Sequence, residues 1–104
     1  MYKHPPGLVE LGKRYWLPVY KPRELVLDHG KGARVWDTEG RDYVDFGAGI
    51  AVNALGHQDP DLLAALTAQA HKLWHSSNVF YTEPPLRLAE ELVHASGFAE
   101  RVFL

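Results

Sequence analysis

Cysteine is missing from the 104 residues, which excludes disulfides and thiolate metal sites. An excess of positive charge is missing too: 11 lysines and arginines face 13 aspartates and glutamates, a formal net charge of −2. A weakly acidic chain without a lysine or arginine run has no electrostatic footprint for nucleic acid. Long apolar runs are also absent. The longest stretch nearly free of charge, Phe46 to Gly56, is too short and too glycine-rich to span a bilayer. The opening from Met1 to Pro6 has no apolar stretch behind its charge and does not read as a secretory signal. With no cysteine to protect, these features fit a cytoplasmic protein. What remains is an ordinary globular balance, 46% hydrophobic and 23% charged, which argues against a wholly disordered chain. The length suffices for one small domain of marginal stability.

Residues 1–24 read as an irregular arm. Prolines 5, 6, 18 and 22 and glycines 7 and 12 interrupt any period, and the apolar residues between them suggest a segment lying along a surface it does not complete. Leu25-Val26-Leu27 reads as a short strand and His29-Gly30-Lys31-Gly32 as a turn. Arg34 to Asp37 and Asp42 to Phe46 flank Thr38-Glu39-Gly40-Arg41, a pattern that predicts a β-hairpin with Gly40 at a left-handed position. Gly47 to His57 is a loop of small residues. Asp59-Pro60 opens a helix expected to run to about His75, with Leu62, Leu63, Leu66, Ala70, Leu73 and Trp74 on one side. Pro84-Pro85 opens a second helix with a buried stripe from Leu86 to Ser96, stopped by Gly97, and Arg101 to Leu104 reads as the onset of a strand. Stopping inside an apolar strand suggests a larger α/β protein cut short, since termini usually lie at a surface.

Several constellations invite chemistry. His71 and His75 stand four apart, a helical spacing that could hold zinc, but no third ligand or intervening glutamate accompanies them, so no metal site is expected. His57, near Asp59, could act as a general base; a structural histidine at a helix start is the better reading. Gly47-Ala48-Gly49 lacks the third glycine and immediate helix of a dinucleotide loop. Such a loop permits close approach of a backbone or ligand, which makes Gly49-Ile50 a candidate pocket wall. Ser76 and Ser77 have no nucleophile elbow around them. The aromatics of the arm and of Val79-Phe80-Tyr81 are hard to bury in so short a chain, and they suggest a missing partner surface.

The run from Gly32 to Phe46 (GARVWDTEGRDYVDF) resembles the opening hairpin of class III aminotransferases. GAGIAVNALGHQDP, from Gly47 to Pro60, continues the likeness without a gap. HSSNVFYTEP (75–84), LAEEL (88–92) and RVFL (101–104) extend it, so that it covers about residues 15 to 104. The forms Gly49-Ile50-Ala51-Val52 and His75-Ser76-Ser77-Asn78 are similar to the acetylornithine and succinylornithine branch.

The resemblance implies an α/β, fold-type I transferase that depends on pyridoxal 5′-phosphate. Residues 1–24 would form an N-terminal arm, 25–57 the hairpin and substrate-side loop of a small domain, and 58–104 the incomplete start of the large cofactor-binding domain. The activity implied is transfer of an amino group between N-acetylornithine and 2-oxoglutarate, in arginine biosynthesis, by a cytoplasmic homodimer whose site both subunits share. Carried over by position, Tyr15, Gly49 and Ile50 would border the substrate, and Ser77, Asn78 and Val79 would reach toward the neighbouring subunit's site. No catalytic residue is expected in this chain: the Schiff-base lysine, the phosphate-binding motif and the aspartate facing the pyridine nitrogen would all come later in the family's order. Lysines 3, 13, 21, 31 and 72 lie outside the expected motif. The rivals are another ω-aminotransferase acting on succinylornithine, ornithine or 4-aminobutyrate, a truncated binding or dimerisation module, and a non-transaminating relative on the same scaffold.

Overall fold

The computed structural model describes residues 7–104, and the reading of Met1 to Pro6 lies outside them. The chain divides into two compact units, one ending at Ala64 and one running from Ala65 to Leu104.

In the first unit the arm is not irregular throughout. Helix α1 spans Leu8–Tyr15, with Glu10 in its first turn and Lys13 and Arg14 in its last, the polarity that suits the helix dipole. Lys13 bridges Glu10 at 3.1 Å and Glu24 at 2.6 Å. The punctuating prolines and Gly7 lie outside this segment, and Gly12 is tolerated within it. Leu8, Leu11 and Tyr15 do recur at helical spacing, but over two turns the prolines and glycines around them obscure it.

A three-stranded antiparallel meander follows, β1 (Leu27–Lys31), β2 (Arg34–Asp37) and β3 (Asp42–Val44), in sheet order β1-β2-β3. The first strand is displaced from its expected place. It begins at Leu27 and runs through His29, Gly30 and Lys31, so the expected turn at 29–32 is strand, and the reversal falls on Gly32 and Ala33. Gly32, at φ +55°, supplies the left-handed backbone for that tight reversal. The stacked rings of His29 and Trp36, 4.8 Å apart, fix the pairing above it. The second hairpin is as expected: Val35 pairs with Tyr43, Trp36 with Asp42, and Gly40 sits at φ +82° in the turn. Among the described residues only Val35 and Asp37 are buried, so the core of the meander is one valine and one carboxylate.

Helix α2 (Ala48–Ala51) is a single turn, and helix α3 (Pro60–Ala70) begins where Asp59 accepts the Leu62 N–H at 2.9 Å. The start agrees with expectation and the end does not: α3 stops at Ala70, five residues before His75. Side chains close it. The Trp74 indole donates to the Ala70 carbonyl at 2.7 Å and the Gln69 amide to Leu73 at 2.8 Å, which satisfies carbonyls a longer helix would have used internally.

In the second unit, α4 (Glu83–Ser96) carries prolines in its first turn and ends at Gly97, φ +68°. The Ser96 hydroxyl accepts the Phe98 and Ala99 N–H groups beyond the cap. Two expectations fail. No residue of α3 or α4 is buried, so their apolar stripes stand open. Arg101–Leu104 forms no strand, because no neighbouring strand offers it a ladder among the described residues.

Candidate functional site

The candidate residues fall on three elements. Tyr15 closes α1, is exposed, and lies under the Arg14 guanidinium at 5.1 Å. Gly49 and Ile50 lie in α2, which is left-handed: φ is +46° at Ala48, +62° at Gly49, +64° at Ile50 and +64° at Ala51. Only the glycine adopts that region freely. Each of the three L-residues costs roughly 1–2 kcal/mol there, so this turn is strained and held from outside. The sequence reading of a plain loop missed it, because Gly49 alone suits left-handed backbone and Ala48, Ile50 and Ala51 do not. Ile50 is 96% exposed and Phe46 is 95% exposed, so the turn presents its side chains outward. Ser77, Asn78 and Val79 share the loop between α3 and α4, with Ser77 at φ +61° and Val79 exposed. His71 and His75 lie beyond the end of α3, so the helical spacing that suggested a metal pair is not formed.

Two polar clusters carry the electrostatics of the first unit. Asp37, 3% exposed, accepts from the Glu39 and Arg41 N–H groups at 2.9 Å, the Arg41 Nε at 2.7 Å and the Tyr43 hydroxyl at 2.8 Å. Burial would raise its pKa; the Arg41 side chain, the two backbone donors and Tyr43 outweigh it and hold the carboxyl at about 2. The same bond to Asp37, helped by burial, raises the Tyr43 phenol. In the second cluster, Asp45 Oδ2 accepts from His57 Nε2 at 2.9 Å and Oδ1 from the Ala48 N–H at 2.8 Å. The His57 bond first, then the Ala48 N–H, lower the Asp45 carboxyl. His57 is therefore structural, paired with Asp45 and not with Asp59, and its backbone exchanges hydrogen bonds with Gly32 at 2.8 and 2.9 Å.

Neither carboxylate was singled out as a site from the sequence. The available signal was an aspartate two residues before Glu39 and three before Gly40, the spacing at which a side chain closes a turn on its own backbone. A hollow of about 210 Å³ beside the Asp37 cluster is lined by Glu10, Glu24, Leu25, Thr38 and Arg41, none of them a candidate substrate residue.

The sequence profile of the Aminotransferase class-III family matches residues 18–104. The chain belongs to that family. An acetylornithine aminotransferase of Xanthomonas campestris is 67% identical over 90 residues, covering 86% of this chain and 22% of the relative. One of Xylella fastidiosa is 68% identical over 91 residues, covering 88% and 22%. The crystal structure of an N-acetylornithine aminotransferase from Stenotrophomonas maltophilia superposes with a TM-score of 0.83 at 62% identity, covering 92% of this chain and 25% of that one. This class-III aminotransferase chain thus spans about a fifth of the length of the curated relatives it matches. Its meander and helices are a part of the aminotransferase fold.

The described residues do not compose a site for pyridoxal phosphate. A lysine that condenses with an aldehyde needs an unpaired, desolvated amine. Lys13 is held by two carboxylates, which raise its pKa, the bond to Glu24 foremost. Lys21, Lys31 and Lys72 are exposed. The acceptor oxygens of Asp37 and Asp45 are already engaged within the chain.

Proposed function

We infer that this chain forms the substrate-side and partner-facing portion of an aminotransferase that exchanges an amino group between N-acetylornithine and 2-oxoglutarate, in arginine biosynthesis. The near-continuous likeness to acetylornithine aminotransferases across both the hairpin and α4 carries the reading. The exposed left-handed turn supports it physically: small residues at 47–51 leave the backbone open to a ligand, and Ile50 projects from it as an apolar wall. Tyr15 borders the same substrate, and Ser77, Asn78 and Val79 reach the neighbouring subunit of a cytoplasmic homodimer. The parts divide as arm, residues 1–24, small-domain hairpin and loop, 25–57, and large-domain start, 58–104.

Pyridoxal phosphate serves that enzyme, with its principal contacts supplied by residues outside this chain. The 104-residue polypeptide is therefore a shaping element without turnover of its own. The test has two arms. Mixed with pyridoxal phosphate, the chain alone leaves the spectrum of the free cofactor unchanged and transfers no amino group. A chimera in which residues 18–104 replace the matching stretch of the Stenotrophomonas maltophilia relative turns over N-acetylornithine in preference to ornithine and 4-aminobutyrate. A cofactor-bound band or turnover in the isolated chain, or a chimera that prefers another donor, overturns the assignment.

A further inference from the structure

The left-handed turn closes on itself through Ile50 N–H to Gly47 and Asn53 N–H to Ala48, at 2.8 and 2.9 Å. Those bonds give it a shape but do not fix where it points. Asp45 connects it to the sheet. Its backbone N–H donates to Ala33 at 2.9 Å, one carboxylate oxygen takes the Ala48 N–H that opens the left-handed run, and the other takes His57. A carboxylate only accepts, so His57 Nε2 is the donor. His57 is anchored in its turn by the paired backbone bonds to Gly32 and by the bare face of Gly30, where an added Cβ would lie 2.6 Å from the imidazole Cγ. A rigid path thus runs from the β1–β2 reversal through His57 and Asp45 to the amide that starts the turn.

We propose that Asp45 and His57 are positioning residues, which aim the Gly49-Ile50 turn at the amine donor from the fixed frame of the meander. The proposal rests on the reading that this turn borders the substrate. A strained run persists only where its surroundings over-determine it. Among the described residues, Asp45 is the side chain that bonds to the turn from the sheet. Loosening the pair leaves Ile50 in place chemically but lets it wander, which weakens donor binding and spares the step with the oxo acid.

The experiment uses the chimeric holoenzyme described above, with His57→Ala, His57→Gln and Ile50→Ala. A glutamine amide can still donate to Asp45. Expected are an increase of about tenfold in KM for N-acetylornithine in H57A, smaller than the roughly hundredfold loss a full ångström of misplacement can bring, an unchanged KM for 2-oxoglutarate, and recovery in H57Q. I50A raises the same donor KM. If I50A raises it and H57A does not, or if H57A moves both substrates alike, or if H57Q fails to recover, the positioning role is overturned while the substrate-side reading stands. If I50A leaves donor KM unchanged, the substrate-side reading falls and the positioning role with it. Should H57A yield no soluble holoenzyme, D45N is measured in its place by the same criteria.

Discussion

The meander and α4 are held in opposite ways. The meander closes around a buried carboxylate with four donors, within a stretch from Asp37 to Tyr43. Helix α4 buries nothing, and Leu86, Leu88 and Leu92 stand 43–50% exposed along it. Its intrinsic order comes from capping and from Arg87 beside Glu83 and Glu90. The lesson is that a local polar interlock can specify a hairpin with almost no apolar core, whereas a helix with an unpaired stripe depends on what packs against it.

Breaking the interlock should have the largest effect. In Asp37→Ala the Arg41 and Glu39 amides and the Tyr43 hydroxyl lose their common acceptor, and hydrogen exchange should show protection lost across β2 and β3 but retained in α4. The pH dependence sharpens the same point. The folded carboxyl lies near 2 against an ordinary 3.8, so its contribution is complete above 3.8 and is lost as the pH falls toward 2. Meander signals that fade between pH 6 and 5 would contradict this. Next in size is Gly56→Ala. Gly56 has φ +80°, and an added Cβ would lie 2.9 Å from the Gly32 carbonyl oxygen. The cost should be about 3 kcal/mol by denaturant titration, felt in the meander. Gly97→Ala forces an L-residue into the left-handed cap of α4 but meets no atom within 4 Å. It should cost about 1 kcal/mol, visible as fraying of the last helical turn by NMR. Arg87→Ala should change α4 helicity least, by under about 0.5 kcal/mol, because its two ion pairs are exposed and screened.

The legible parts of the fold were those written in strong local chemistry. Gly40 between two β-prone arms, Asp59 before Pro60, and Pro84-Pro85 with Gly97 each fix a backbone conformation from within a few residues. The parts not legible depend on partners distant in sequence or on strain. Helix α1 has its apolar residues at helical spacing, but the prolines and glycines around them masked it, and β1 takes its register from Trp36 on the facing strand. Helix α3 ends where Trp74, four residues beyond it, folds back to bond its last carbonyl. The left-handed run at 48–51 places three L-residues where only Gly49 is at ease, so three of its four residues give no local sign of it. The candidate site divides along the same line. Small residues at 47–51 advertised an open backbone directly. Tyr15, Ser77, Asn78 and Val79 owe their proposed roles to resemblance, since a side chain that serves a neighbouring surface carries no local mark of it.

The contact of Gly30 with the His57 ring bears on how this sequence can drift. A methyl group at position 30 has no room while an imidazole occupies position 57. The two positions, 27 residues apart, therefore form a coupled pair in which the smaller change must wait for the larger. Relatives that gain a side chain at the first should already have lost the ring at the second, and with it the tether of Asp45.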